Sequence, residues 1–120
     1  MKKIVLMILV AFMVFSCQSQ NDTRIRVVPK AEFKEAVVKQ NIQLVDVRTP
    51  DEFAEGFIKG AKNINVYDAG FETEIQKLDK TKPVYIYCRS GARSKTAAQK
   101  MVVLGFTQII DLEGGYMNWE

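Results

Sequence analysis

The chain has 120 residues, of which 48% are hydrophobic and 26% are charged, a composition typical of one small globular domain. It contains no histidine, which excludes Ser/His/Asp and Cys/His catalytic pairs and the most common metal ligand, and we expect neither a metal site nor a cofactor. The net charge is +3, but 15 basic and 14 acidic side chains remain if Lys2 and Lys3 are removed with residues 1–16, and this balance argues against nucleic-acid binding.

The N-terminal segment has the organisation of an export signal. The two lysines precede an apolar run of 12 residues, 4–15, which is shorter than the roughly 20 residues that a membrane-spanning helix needs. The end of this run, Val14-Phe15-Ser16-Cys17, resembles a bacterial lipobox. We therefore predict that residues 1–16 are a lipoprotein-type signal peptide, that Cys17 is acylated, and that residues 17–23 form a polar tether.

Two other interpretations of this segment stay open, namely an ordinary signal peptide cut near Ser16 and a retained anchor. The favoured interpretation predicts an exported protein on the periplasmic side of the cell envelope, attached to the membrane through its N-terminal lipid. Gln18 does not resemble the inner-membrane retention signal, which favours the outer membrane. Cys88 is then the only free thiol of residues 17–120, and a disulfide scaffold is excluded.

From Arg24 onward, apolar residues recur with the periods of alternating strands and helices. Thr49, Pro50 and Glu52 combine an N-cap hydroxyl, a proline at the first helical position and a glutamate three residues after the cap. A short helix should therefore begin here and end at Gly56. The predicted strands cover residues 24–28, 42–47, 61–66, 84–87 and 108–112, and the predicted helices cover residues 29–40, 50–55, 71–78 and 92–104.

This alternation predicts a parallel α/β sheet with helices on both faces, formed by one domain over residues 24–120. Ligands of such sheets bind outside the carboxyl ends of the strands. Cys88 directly follows the fourth predicted strand, so we expect the functional site around this residue.

The segment Cys88–Ser94 joins a buried strand to a helix and carries the candidate chemistry. Backbone N–H groups at a helix N-terminus can form a concavity that binds anions, and Gly91 allows a close approach of the backbone. Arg89 and Arg93 add two permanent cations. A thiol in the mouth of such a cradle ionises more readily than a free thiol, and the thiolate is a nucleophile that needs no histidine. We predict that Cys88 is the catalytic nucleophile.

The rest of this loop is predicted to bind the substrate. Ser90 and Ser94 can donate their hydroxyls to it, or they can cap the helix that follows. Two interpretations without catalysis stay open: a small buried cysteine before a solvated helix start, and an unreactive anion receptor. The predicted substrate-binding residues are Arg89, Ser90, Gly91, Ala92, Arg93 and Ser94.

Four motifs in order resemble those of the single-domain rhodanese family of sulfurtransferases, over nearly the whole chain from about Arg24 to Trp119. The four motifs are Leu44–Arg48 with Glu52-Phe53, Gly56–Ile64, Cys88–Ser94, and Glu113–Gly115 with Trp119.

This resemblance implies a rhodanese-like α/β fold with a five-stranded parallel sheet, and a sulfur transfer in two steps. Cys88 would take the sulfane sulfur of a small anionic donor such as thiosulfate and hold it as a persulfide, and cyanide or a thiol would then accept it. Arg89 directly after the thiol favours an inorganic anion over 3-mercaptopyruvate as the donor. We expect a monomeric enzyme; the alternative is a carrier of sulfur or a binder of anions that does not turn over alone.

The length of the loop separates this interpretation from phosphatases and arsenate reductases of related fold, which have five residues between the nucleophile and the arginine. Here four residues separate Cys88 from Arg93, and a tighter ring suits a single sulfur atom. The sequence also places no acid over the loop to protonate a leaving group.

Three further features lie outside the loop. Asp46 and Arg48 should lie beside Cys88, and we favour a structural ion pair there, of Arg48 with Glu52, over a role in the site. Phe57 stands where the family usually has histidine, and we expect packing in its place. The chain ends one residue after Trp119, so residues 116–120 are expected to fray.

Overall fold

The computed structural model describes residues 22–120, in which strands and helices alternate. The predicted positions of the elements are correct to within a few residues, apart from the third strand and the third helix. The strands are β1 (Ile25–Val28), β2 (Gln43–Asp46), β3 (Lys62–Asn63), β4 (Val84–Tyr87) and β5 (Ile109–Leu112). The helices are α1 (Lys30–Val38), α2 (Pro50–Glu55), α3 (Phe71–Ile75) and α4 (Ala92–Val103), followed by a 3-10 turn at Tyr116–Asn118.

The five strands form one parallel sheet in the order β1-β5-β4-β2-β3, which confirms the predicted fold class. β4 is the central strand. Ile86 of β4 pairs with Val45 of β2 on one side and with Asp111 of β5 on the other. The residue that follows β4 is therefore at the middle of the carboxyl edge of the sheet.

Apolar layers cover both faces of the sheet. On one face, Phe71 and Ile75 of α3 pack with Ala97 and Met101 of α4. On the other face, the core is built around Phe33 of α1. Burial of these side chains is the main stabilisation of the fold, at about 25 cal/mol for each Å² removed from water.

The capping box predicted at the start of α2 is present. Thr49 Oγ1 accepts a hydrogen bond from the amide of Glu52, and the Glu52 carboxylate accepts one from the amide of Thr49. Gly56 ends the helix. The first backbone amides of a helix have no carbonyl acceptor within the helix, and the capping box supplies side-chain acceptors for two amides of Thr49–Glu52.

The third strand is shorter than the predicted 61–66, because β3 lies at the edge of the sheet and pairs only with β2. Beyond Asn63, the amides of Ile64 and Val66 donate to the carbonyls of Asp46 and Val47, which follow one another directly, so the regular ladder ends. The third helix likewise ends at Ile75, and turns carry the chain on to Leu78.

The C-terminal residues are held by the fold, contrary to the expected fraying. The amide of Tyr116 donates to the carbonyl of Cys88, and the ring of Trp119 packs edge-on against Phe33 at 6.0 Å between centroids. The C-terminal residues are therefore ordered by contacts with α1 and with the residue after β4, and these long-range contacts could not be predicted from the sequence.

In the part of the chain that the structure describes, no helix is long and apolar enough to cross a membrane. The predicted signal peptide, Cys17 and most of the predicted tether lie outside the described residues. The last two tether residues, Asp22 and Thr23, form a turn in which the Asp22 carboxylate pairs with Arg24 at 2.8 Å.

Candidate active site

The candidate nucleophile, Cys88, lies at the centre of the carboxyl edge of the sheet, directly after β4. Three of the four residues of β4 are fully buried, which fixes the position of the strand end. The chain then turns through Arg89 and Ser90 into α4. Gly91 is the N-cap of this helix with φ of 114°, a left-handed conformation that costs glycine little because it has no Cβ.

The Cys88 sulfur is held by two hydrogen bonds within its own loop. The amide of Gly91 donates to Sγ at 3.0 Å, and Sγ donates to the Ser94 hydroxyl at 3.4 Å. Ser94 in turn donates to the carbonyl of Gly91 at 3.1 Å. The loop therefore folds back over the sulfur, and Cys88 is only 1% exposed rather than open at the mouth of a cradle as the sequence suggested.

The orientation of the loop peptides is set by the segment after β5. The carbonyl of Cys88 accepts from the amide of Tyr116 at 2.8 Å, and the carbonyl of Arg89 accepts from the amide of Met117 at 3.1 Å. In a trans peptide the N–H points away from the C=O, and no cis peptide occurs among the described residues. The amides of Arg89 and Ser90 therefore point away from the C-terminal segment.

Several loop amides remain available to a ligand. Within residues 22–120, the amides of Arg89 and Ser90 and those of the first three residues of α4, Ala92, Arg93 and Ser94, donate to no protein acceptor. Free amides at a helix start carry the positive end of the helix dipole. This part of the predicted cradle can bind an anion.

The two arginines of the loop differ in their surroundings. Arg93 donates to both carboxylate oxygens of Glu52, at 2.5 and 2.8 Å, and these bonds lower the pKa of Glu52 to about 2. Arg89 is exposed and forms no ion pair with any described residue. Of the two predicted cations, Arg93 is therefore neutralised by a carboxylate, whereas Arg89 has no carboxylate partner among the described residues.

The predicted ion pair of Arg48 with Glu52 is wrong. The guanidinium of Arg48 instead binds the carboxylate of Asp46, with Nη2 to Oδ2 at 2.6 Å and Nε to Oδ1 at 2.9 Å. It also donates to the carbonyl of Gly56 at 2.6 Å. Both charged side chains of this pair are buried. Glu52, which lies on α2, pairs with Arg93 instead of Arg48.

A surface pocket of about 370 Å³ opens beside the loop. Arg89 reaches this pocket, whereas Cys88 does not line it. A larger pocket of about 580 Å³, between Val37 of α1 and Lys59, contains no residue of the loop. The lining residues of the smaller pocket are Arg48, Glu52, Glu55, Gly56, Arg89, Tyr116 and Met117.

Phe57, which stands where histidine is usual in the family, packs as expected. Its ring stacks on Phe53 of α2 at 4.1 Å between centroids and 13° between planes, and 47% of the residue stays exposed.

Sequence reasoning missed two acids of this region. Glu52 is expected from the sequence to cap α2 and to pair with Arg48, whereas in the structure it pairs with Arg93, 41 residues away. Asp111 was placed within a strand, yet it lies beside Ser94, and burial raises its pKa to about 6. A single acid inside the otherwise apolar strand Ile109–Leu112 was the signal that could have revealed it.

The same family appears when the chain is compared with known proteins. Residues 29–120 match the rhodanese-like domain family. The uncharacterized protein YqhL of Bacillus subtilis is 36% identical over 118 residues, which are 97% of this chain and 90% of the relative. The thiosulfate sulfurtransferase GlpE of Coxiella burnetii is 36% identical over 86 residues, which are 72% of this chain and 78% of the relative.

A solved structure shows the same fold. The crystal structure of a rhodanese-like domain protein from Staphylococcus aureus superposes with a TM-score of 0.70 and 28% identity, covering 79% of this chain and 91% of the other. The sheet order, the loop after β4 and these matches agree, and the chain belongs to the rhodanese-like family of sulfurtransferases.

Proposed function

We propose that this protein is a thiosulfate sulfurtransferase, or an enzyme that uses a similar small anionic donor, and that it acts through a persulfide on Cys88. The observation that carries the proposal is the hydrogen bond of 3.0 Å from the Gly91 amide to Sγ, at the N-terminus of α4. A donor of this kind stabilises a thiolate and the persulfide that replaces it. The similarity to GlpE supports thiosulfate as the donor.

The reaction needs two displacements at sulfur. The Cys88 thiolate attacks the sulfane sulfur of thiosulfate, the S–S bond of the donor breaks, and sulfite leaves with the electron pair. Cyanide or a thiolate then attacks the outer sulfur of the persulfide and releases the Cys88 thiolate. The free amides at the start of α4 and of Arg89 and Ser90, together with the Arg89 guanidinium, would hold the oxyanion end of the donor.

Burial of Cys88 means that the donor reaches the sulfur only when the loop opens. The bond that Sγ donates to the Ser94 hydroxyl needs the thiol proton, so it is lost when the thiol becomes a thiolate or a persulfide, whereas the Gly91 amide can still donate to the sulfur. This burial is also the observation that favours the second candidate, a carrier that accepts sulfur and delivers it only to a partner.

The pairing of Arg93 with Glu52 argues against a phosphatase. In such enzymes the arginine after the nucleophile binds the phosphoryl oxygens, and here both guanidinium donors already meet a carboxylate. The loop of four residues between Cys88 and Arg93 points in the same direction.

The test combines mass and turnover. Incubation of the full chain with thiosulfate should add one sulfur atom to the peptide that contains Cys88, and thiosulfate with cyanide should yield thiocyanate. Cys88→Ser should lose both signals, whereas Cys17→Ser, the matched control, should keep them. Persulfide formation without turnover would establish the carrier, and hydrolysis of an aryl phosphate would contradict the proposal.

We further propose that residues 1–16 are removed and that Cys17 carries a lipid, so that the domain is exported and anchored on the periplasmic side of the outer membrane. The lipobox-like sequence ending in Cys17 supports this proposal. Labelling of cells with a fatty-acid analogue should mark the wild type and not Cys17→Ser. A Cys17→Ser protein that remains labelled would exclude acylation at this residue.

A further inference from the structure

Tyr116 carries a hydroxyl group that neither the fold nor the sulfur transfer above uses. The residue belongs to the 3-10 turn after β5 and lines the pocket of about 370 Å³ beside the loop. Within residues 22–120, its hydroxyl makes no hydrogen bond. The only buried side-chain oxygen without a partner in this part of the chain belongs to Asp111, so the Tyr116 hydroxyl is open to solvent. A ligand in the pocket can therefore bind to it.

The neighbouring tyrosine, Tyr87 of β4, shows the contrast. It is fully buried, and its hydroxyl accepts a hydrogen bond from the amide of Ile58 at 3.0 Å. The rings of Tyr87 and Tyr116 are 6.0 Å apart between centroids, yet only the hydroxyl of Tyr87 bonds to the rest of the fold. Removal of the Tyr116 hydroxyl therefore breaks no hydrogen bond within the described residues.

Three contacts hold Tyr116 in place. Its backbone amide donates to the carbonyl of Cys88 at 2.8 Å, which links the residue to the nucleophile. The buried guanidinium of Arg48 lies 4.4 Å from the centre of its ring. Its hydroxyl oxygen lies against Gly56, where a Cβ atom would come within 2.8 Å of it. A side chain that is already held loses little conformational freedom when its hydroxyl binds a ligand.

The charges of the pocket indicate which ligand this hydroxyl would bind. Arg89 lines the pocket and has no carboxylate partner among the described residues. Of the two carboxylates that line it, Glu52 is neutralised by Arg93, and Glu55 is exposed, so solvent screens its charge. A guanidinium and a hydroxyl both donate hydrogen bonds to an oxyanion. Both side chains start from backbone that adjoins or bonds to the nucleophile, so an anion that they hold lies close to it.

We propose that Tyr116 binds the oxyanion end of the sulfur donor, to which its hydroxyl donates a hydrogen bond beside Arg89. This inference rests on the proposed sulfur transfer at Cys88. When the S–S bond of thiosulfate breaks, its electron pair goes to the sulfite that leaves, and negative charge grows on the sulfite oxygens. The hydroxyl keeps its proton and stabilises this charge through the hydrogen bond. Tyr116 therefore accelerates the formation of the persulfide and not its later reaction with the acceptor.

The test is to measure the two steps separately in Tyr116→Phe, which removes the hydroxyl oxygen and keeps the ring and the backbone amide. In the full chain at low thiosulfate concentration, the rate of persulfide formation should fall at least about tenfold, the effect of one hydrogen bond to a charged group. The rate at which cyanide removes sulfur from the isolated persulfide should stay within about twofold of the wild type. Mass spectrometry of the Cys88 peptide follows both steps.

Tyr85→Phe is the matched control for this experiment. It also removes one hydroxyl, but its ring lies 5.4 Å from that of Phe33 between centroids, and the residue does not line the pocket. Both rates should therefore equal those of the wild type. Persulfide formation in Tyr116→Phe at the wild-type rate would overturn the inference. An equal loss in both steps would overturn it as well, because a general disturbance of the loop slows every reaction of Cys88.

A binding measurement separates this inference from the proposed function. Sulfate has the oxygens of the donor but no sulfane sulfur, so it can bind without reacting. Calorimetric titration with sulfate at constant ionic strength should give a Kd at least about tenfold higher for Tyr116→Phe than for the wild type and Tyr85→Phe. In a protein that transfers no sulfur, this difference would support the inference and contradict the proposed function alone. Equal sulfate binding by all three proteins would contradict the inference.

Discussion

Glu52 controls how much positive charge the loop around Cys88 presents to an anion. Its carboxylate binds both terminal nitrogens of Arg93, and the two side chains are only 27% and 18% exposed. The hydrogen bonds from Arg93 hold the pKa of Glu52 at about 2, so the pair stays ionised at every pH above that value. Under the proposed function, the donor therefore meets one unpaired arginine, Arg89, together with the free amides.

Release of Arg93 should strengthen donor binding. We predict that Glu52→Gln lowers the KM for thiosulfate about tenfold, which corresponds to about 1.4 kcal/mol for one new contact with a cation. Glutamine retains an acceptor for the amide of Thr49, so α2 should keep its cap. The measurement is steady-state formation of thiocyanate at several thiosulfate concentrations.

Glu55→Gln is the matched control for this prediction, because Glu55 lines the same pocket without pairing with Arg93. Its KM should change less than about twofold, the effect of a solvent-screened charge. If Glu52→Gln leaves the KM at the wild-type value, Arg93 does not reach the bound donor and the loop binds it through Arg89 and the amides alone.

At the scale of elements, the turn after β5 determines the geometry of the loop after β4. Gly115 permits their close contact: it has φ of 64°, and a Cβ at this position would overlap the carbonyl of Arg89 and come within 2.6 Å of the carbonyl oxygen of Cys88. These are the same two carbonyls that accept from Tyr116 and Met117. A side chain at position 115 would therefore separate the two segments.

We predict that Gly115→Ala lowers the free energy of unfolding by more than about 2 kcal/mol, because backbone strain and a backbone clash add. The rate of persulfide formation should fall at least about tenfold, since the loop peptides lose their orientation. Urea unfolding and mass-resolved reaction with thiosulfate measure the two effects.

Gly60→Ala separates strain from contact in this experiment. Gly60 has φ of 92°, but a Cβ there would meet no atom within 4 Å. It should therefore lose only about 1 kcal/mol of stability and keep the rate of persulfide formation. Equal losses in the two variants would show that the C-terminal turn does not orient the loop.

Most elements of this chain could be predicted because their signals are local. The capping box of α2 lies within Thr49–Glu52, and the apolar strand β4 ends one residue before the only cysteine of residues 22–120. The pairing of Glu52 with Arg93 could not be predicted, since a contact across 41 residues depends on how α2 and α4 pack. The short length of β3 could not be predicted either, because it results from the position of this strand at the edge of the sheet, which its own sequence does not determine.

Across the molecule, the order of the strands places the buried Asp111 of β5 next to β4, the strand that Cys88 follows. β5 lies between β4 and β1, although β1 and β5 are the first and last strands of the described residues. Alternation of strands and helices predicts a parallel sheet but does not fix this order. For this reason the position of Cys88 after β4 could be predicted from the sequence, while the burial of Asp111 on the neighbouring strand emerged only from the structure.

The buried pair of Asp46 and Arg48 joins several parts of the molecule. Asp46 ends β2, Arg48 donates to the carbonyl of Gly56 after α2, and its guanidinium lies 4.4 Å from the centre of the Tyr116 ring. The side-chain amide of Asn63 in β3 donates from Nδ2 to the backbone carbonyls of both residues, at 3.1 and 2.9 Å. These contacts indicate that the pair supports the architecture around the loop rather than the donor.

Removal of one member of this pair should be far more damaging than removal of both. We predict that Asp46→Leu and Arg48→Met each lower the free energy of unfolding by about 3–5 kcal/mol, because each leaves a buried charge alone. The double variant should lose much less than the sum, since two apolar side chains need no counter-charge. Urea unfolding of the four proteins gives the coupling energy directly.

The double variant also separates structure from donor binding, because it should fold and yet lacks the Arg48 guanidinium, which lines the pocket beside Arg89. If the pair is structural, the KM of the double variant for thiosulfate should stay within about twofold of the wild type, as for a group that makes no contact with the donor. A KM more than about tenfold higher in a stable double variant would place Arg48 among the residues that bind the anion.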